Sequence, residues 1–126
     1  MSQLFRYKST FNSNISNWNV SNVTNMDNMF MYARVFNQDI SNWDVSNVTD
    51  MDYMFKNAED FNQDIGNWDT SSVTSMEQMF KDAEEFNQDL SLWCVTNITS
   101  EPSSFSTNSP LSSANKPVWG TCPDHS

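Results

Sequence analysis

Glycine and histidine are almost missing from this chain. Of 126 residues, two are Gly (Gly66 and Gly120) and one is His (His125). A fold that turns its corners on Gly is thereby excluded, so Asn, Asp and Ser must supply the turns. One His beside the C-terminus leaves no catalytic triad and no His-based metal site. No Gly-rich phosphate loop is present. An enzyme is not expected, and no cofactor is implied. Basic residues are also scarce: 6 Lys and Arg stand against 16 Asp and Glu, for a net charge of -10. Nucleic-acid binding is built on Lys and Arg, so it is excluded, as is attraction to anionic membrane surfaces. The charge reads as solubility. No run of eighteen apolar residues exists, which argues against membrane insertion. The opening "MSQLFRYKST" has no apolar core of a signal peptide. Hydrophobic residues make up only 37%, yet 9 Phe, 5 Trp and 8 Met can bury much area each. The length suits one domain.

What is abundant is repetition. "FNQDISNWDVSNVTDMDYMF" (Phe36 to Phe55) returns 25 residues later as "FNQDIGNWDTSSVTSMEQMF". Phe11, Phe36, Phe61 and Phe86 keep this step, as do Trp18, Trp43, Trp68 and Trp93. So do Phe30, Phe55, Phe80 and Phe105, and the Met columns Met26, Met51, Met76 and Met29, Met54, Met79. A fixed period of this size marks a repeat architecture, in which one unit cannot bury its face alone and stacked units can.

Each unit has two halves. Met51, Met54, Phe55 and Ala58 lie at i, i+3, i+4 and i+7, the pattern of a short helix. Thr49 with Asp52, and Thr74 with Glu77, resemble capping boxes at its start. The Thr24, Thr49, Thr74, Thr99 column fits an N-cap better than an ice-binding array. Trp43 and Val45 alternate with Asn42, Asp44 and Ser46, the pattern of a short half-buried strand. The expectation is an α/β repeat: a right-handed solenoid of about four strand–short-helix coils with a C-terminal cap. Its units are 11–35, 36–60, 61–85 and a partial 86–99. Residues 1–10 form an incomplete coil, either a native cap or a cut in a longer array. Residues 100–126 form an irregular cap, and Pro102 shortens or removes the last helix.

The spacing Ile40, Trp43, Val45, Val48 resembles the L-x-x-L-x-L-x-x-N signature of leucine-rich repeats, with Val in place of Asn. The unit "FNQDISNWDVSNVTDMDYMFKNA" is similar to the surface-protein repeat of the BspA-like leucine-rich-repeat family. The resemblance covers Phe11 to Ala83 in full and Phe86 to Thr99 in part. It implies a surface-exposed protein of bacteria, viruses or microbial eukaryotes, with adhesion to proteins or host surfaces as one family role.

Cys94 lies in the strand column and Cys122 in the tail, so a disulfide is expected to pin the tail over the last coil. Trp119, Val118 and Leu111 would then cover apolar surface. A disulfide implies an oxidising, extracellular setting.

The candidate binding surface is the strand face: Asn17, Asn42 and Asn67; Asn19, Asp44 and Asp69; Ser21, Ser46 and Ser71, continued by Thr96. It is an acidic, amide-rich strip able to hydrogen-bond a protein, peptide or glycan. Asp39, Asp64 and Asp89 form a column that calcium would suit, although capping of their own turns explains them better. Asn12, Asn37, Asn62 and Asn87 are read as satisfying backbone groups of the next coil. Asn14, Asn19, Asn22, Asn47 and Asn97 begin glycosylation sequons that arise from the repeat itself. The function expected is an extracellular or virion-surface recognition and adhesion module. The alternative is a structural subunit that stacks end to end into a filament or shell.

Overall fold

The computed structural model describes residues 1–123, so His125 lies outside the described residues. The described chain winds into stacked coils, and each coil is a train of four-residue turns. Residues 36–60 show the plan. The N–H groups of Trp43, Val48, Met54, Lys56, Ala58 and Phe61 each donate three residues back, to Ile40, Val45, Met51, Tyr53, Phe55 and Ala58, at 3.0–3.3 Å. Ile40, Trp43, Val45, Val48, Met51, Met54, Phe55 and Ala58 are buried. The polar pairs between them, such as Ser41–Asn42 and Ser46–Asn47, form the corners.

The expected α/β solenoid of strand–helix coils, with its leucine-rich-repeat geometry, is not what forms. Among the described residues, helix is limited to one 3-10 turn, Ser113–Asn115. Parallel pairing is limited to two isolated bridges, Asn25 to Asp50 and Asp50 to Ser75.

The helical reading fails for a physical reason. A two-turn α-helix would close its N–H groups on itself and is unstable alone. Here alternate N–H groups are shared out. Those of Met54, Lys56 and Ala58 close turns within the coil, while those of Met51, Tyr53, Phe55 and Asn57 reach Ser75, Glu77, Met79 and Lys81 of the next coil at 2.8–3.0 Å. The alternation needs left-handed residues, and Tyr53 (φ 58°) and Asn57 (φ 57°) adopt that conformation. The same two sites recur at Asn28 and Tyr32, and at Gln78 and Asp82. Two successive turns, 51–54 and 55–58, put apolar residues at i, i+3, i+4 and i+7 without any helix. A β-branched residue fits the left-handed region badly. Asn57→Val is therefore expected to destabilise the protein by about 1–2 kcal/mol, measured by denaturant unfolding.

The capping boxes are reused between coils. The Thr49 backbone N–H and hydroxyl both donate to the Thr24 carbonyl, at 2.8 and 3.1 Å. Asp52 accepts from the Glu77 N–H at 2.7 Å and from the Ser75 hydroxyl. The strand reading fails because the turns 40–43 and 45–48 leave only a short extended link between them. Side chains tie this half to its neighbours instead. The Trp43, Trp68 and Trp93 indoles donate to the carbonyls of Ile15, Ile40 and Ile65 at 3.0–3.1 Å. The Asn12, Asn37 and Asn62 carboxamide oxygens each accept the backbone N–H of the Asn one coil on.

The core is a double ladder of phenyl rings. Phe5, Phe30, Phe55 and Phe80 stack at 5.5 Å. Phe11, Phe36, Phe61 and Phe86 stack at 5.7–6.0 Å. Rungs such as Phe30–Phe36 and Phe55–Phe61 join the two columns at 4.2 Å. Such separations suit offset stacking.

Phe105 does not continue the Phe column as its spacing suggests. Its N–H closes a turn on Pro102, as the Met54 N–H does on Met51, and the left-handed sites shift to Ser104 and Asn108. Phe105 therefore takes the Met79 place, with its ring edge-on to Phe80. Pro102 stands where Met26 and Met51 donate an N–H to the following coil. A residue without an N–H suits the last such position, since no donor is left over.

Residues 111–121 are a degenerate further coil laid on the fourth. The Ser112 N–H reaches the Asn87 carboxamide at 3.2 Å, as Asn87 reaches Asn62. The Leu90 and Val95 N–H groups bond to Asn115 and Thr121 at 2.8 Å. Leu111 is buried and Trp119 packs edge-on against Phe105, as expected, but Val118 is exposed.

Gly66 sits where the other coils have Ser16, Ser41 and Ser91. A Cβ there would lie 2.5 Å from the Asp89 carbonyl oxygen. Gly66→Ala should cost about 1–3 kcal/mol as an overpacking change, read from the thermal midpoint.

Candidate functional site

The expected binding strip is a row of turn corners rather than a strand face. Asn42 occupies the middle of the turn 40–43, Ser46 that of 45–48, and Asp44 lies between them. The same holds one coil before, for Asn17, Asn19 and Ser21, and one coil after, for Asn67, Asp69 and Ser71. The carboxylate holds its own turn: Asp44 Oδ1 accepts the Ser46 N–H at 3.0 Å and the Ser46 hydroxyl at 2.6 Å. Asp69 does the same with Ser71, and Asn19 with Ser21. Among the described residues, the Asn17, Asn42 and Asn67 carboxamides make no hydrogen bond. The strip therefore offers an open amide and a second carboxylate oxygen at each of its later coils.

Two concavities sit side by side at the third and fourth coils. A cleft of about 350 Å³ is lined by Asn67, Trp68, Asp69, Ser71, Cys94 and Cys122. A shallower one of about 170 Å³ is lined by Asp64, Gly66, Asn67, Asp89 and Leu92. Asn67 belongs to both. Cys94 and Cys122 are joined in a disulfide that walls the larger cleft. Thr70 lies beneath, buried, with its hydroxyl on the Cys94 carbonyl at 2.9 Å. Sequence reasoning passed over Trp68 and Thr70 as site residues. The Thr was visible as the polar break in the column Val20, Val45, Thr70, Val95.

The Asp39, Asp64 and Asp89 column caps its own turns. Each Oδ1 accepts the N–H two residues on, from Ser41, Gly66 and Ser91, at 2.9–3.0 Å. Among the described residues, no group of three His, Cys, Asp or Glu side chains could hold a metal ion. No helix of the described residues is long and apolar enough to cross a membrane.

These turns give the carboxylates a pH signature. The serine hydroxyl, then the serine N–H, holds Asp39, Asp44 and Asp89 below the usual carboxylate value. A folded value below the unfolded one means the contribution is present above the unfolded pKa and lost as pH falls through the folded one. Asp50 runs the other way. Burial, with Asp52 and Asp27 nearby, raises it, so acid relieves rather than removes stability there. The combined variant Asp39→Asn, Asp44→Asn, Asp89→Asn should keep its turns, because Asn14 and Asn19 cap the same turns in the first coil. Its stability should fall less steeply than the parent's below about pH 4, followed by urea midpoints across pH.

The profile of a family described as Mycoplasma proteins of unknown function, DUF285, matches residues 1–119. The chain belongs to that family. No curated protein and no solved structure matches it.

Proposed function

We propose that the protein is a non-enzymatic recognition and adhesion module of the BspA-like surface type, acting outside the cell or on a virion. It binds a protein or glycan through the turn-corner strip, with the cleft at Asn67, Asp69 and the disulfide as its principal seat. The observation that carries this reading is the coincidence of three features in one place. An unbonded carboxamide, a turn-held carboxylate and a concavity of about 350 Å³ meet beside a covalent cross-link that keeps the wall fixed. Carboxamides and carboxylates at each coil can pair with hydroxyl or peptide groups that repeat along a chain. The disulfide supports an oxidising location.

The test is a binding screen of the oxidised protein against glycans and extracellular-matrix proteins, followed by Asn67→Ala and Asp69→Ala on any hit. Each variant should weaken binding by about tenfold or more, the cost of one or two hydrogen bonds, charge-assisted at Asp69. Asn17→Ala, two coils away, should leave it unchanged. Binding that ignores both cleft variants would sink the assignment of this seat.

A further inference from the structure

The two ends of the stack differ, and they match each other. Trp43, Trp68 and Trp93 are buried, each beneath the preceding coil, whereas Trp18 is 43% exposed. Leu4 and Tyr7 are exposed in the same outer layer, and Phe11 is only partly buried. Within the stack, a series of alternate N–H groups of each coil meets carbonyls of the next, four in the coils of Met26 and Met51 and three in those at either end. Gln3, Phe5 and Tyr7 donate to Asp27, Met29 and Met31, and Gln78, Phe80 and Asp82 donate to Ser103, Phe105 and Thr107. At the outer layers this series is left unfilled. Among the described residues, the Ser2, Leu4 and Arg6 carbonyls accept no hydrogen bond, and the Ser104, Ser106 and Asn108 N–H groups donate none. One end carries three acceptors and the other three donors, in the register of the internal steps.

Charge is divided the same way. Residues 1–10 carry Arg6 and Lys8 and no acid, whereas residues 82–101 carry Asp82, Glu84, Glu85, Asp89 and Glu101 and no base. Lys116, in the last layer, is paired with Glu101 at 3.0 Å.

We propose that the N-terminal face of one molecule docks on the layer 101–108 of a second copy, head to tail. The Ser104, Ser106 and Asn108 N–H groups donate to the Ser2, Leu4 and Arg6 carbonyls. The Leu4, Phe11 and Trp18 side chains are covered as their counterparts are inside the stack. Two like ends cannot pair this way, since acceptors would face acceptors. The contact is therefore heterologous, and growth is open-ended rather than stopping at a dimer.

The test is sedimentation velocity of the oxidised 126-residue chain over a wide concentration range, at low and high salt. The mass should climb past that of a dimer with concentration, and salt should weaken the growth by screening the end charges. A monomer at the highest soluble concentration, or a dimer that stops growing, overturns the proposal. Leu4→Asp alters one end and Ser106→Arg the other. Each alone should lose growth with its near-UV circular dichroism unchanged, and a mixture of the two should form a mixed dimer and nothing larger. A mixture that stays monomeric overturns the proposal. Should either variant fail to fold, reversing the two N-terminal charges with Arg6→Glu and Lys8→Glu serves instead. About tenfold weaker association is expected, and undiminished growth overturns the proposal.

Discussion

Replacing Phe55 by Ala is expected to destabilise the fold by about 3–5 kcal/mol, the range for truncating a fully buried aromatic. Phe55 is fully buried and sits near the middle of the ladder. It stacks on Phe30 and Phe80 at 5.5 Å and on Phe61 at 4.2 Å, with Trp68 tilted against it at 6.4 Å, so its loss leaves a gap lined by four aromatic side chains. The left-handed turns on either side hold the backbone through bonds to both neighbouring coils, and the site cannot collapse to fill the gap. Position in the stack should set the size of the effect. Trp18→Ala removes a larger side chain, but one already 43% exposed. It should cost well under half as much. Denaturant unfolding of the two variants side by side checks the order, and an equal cost would refute a core organised as a ladder with an open first rung.

Opening the Cys94–Cys122 bond is expected to cost about 3–4 kcal/mol from loop closure across its separation of 28 residues. For a domain of this size that is a fall in thermal midpoint on the order of 10 °C. The loss should be local before it is global. Besides the bond, the tail is held by Leu111, the Trp119 edge on Phe105, the N–H bonds of Leu90, Val95, Ser112 and Gly120, the Asn115 amide on Asn87 and the Lys116–Glu101 pair. Hydrogen exchange on the Cys94→Ser, Cys122→Ser double variant should show deprotection at Leu90 and Val95 well before Met51, Phe55 or Asn57. The cleft beside Asn67 loses a wall at the same time, so ligand binding should weaken in this variant more than stability predicts. Uniform deprotection across all coils would refute the view of 111–121 as a separately tied layer.

Much of this molecule is written in its period. The step of 25 residues, the burial of the Phe, Trp, Met and Ile columns, the Asn12 column reaching the next coil and the pairing of Cys94 with Cys122 all follow from residue identity and spacing. Stacking forces equivalent side chains onto one another, so the pattern that buries one coil buries them all. The local conformation was not legible in the same way. A pattern of i, i+3, i+4 and i+7 is produced equally by one short helix and by two consecutive turns. What separates them is the destination of the N–H groups of Met51, Tyr53, Phe55 and Asn57, which lies in another coil. Nor could counting place Phe105, because one added residue before Pro102 is invisible until hydrogen bonds mark the register. The candidate cleft likewise exists only where the corners of one coil meet a disulfide between residues 28 apart in sequence, beside Trp68, which the period alone marks as core. Periodicity reports which side chains face inward. The choice of backbone path depends on hydrogen bonds between coils, and only the assembled stack supplies their partners.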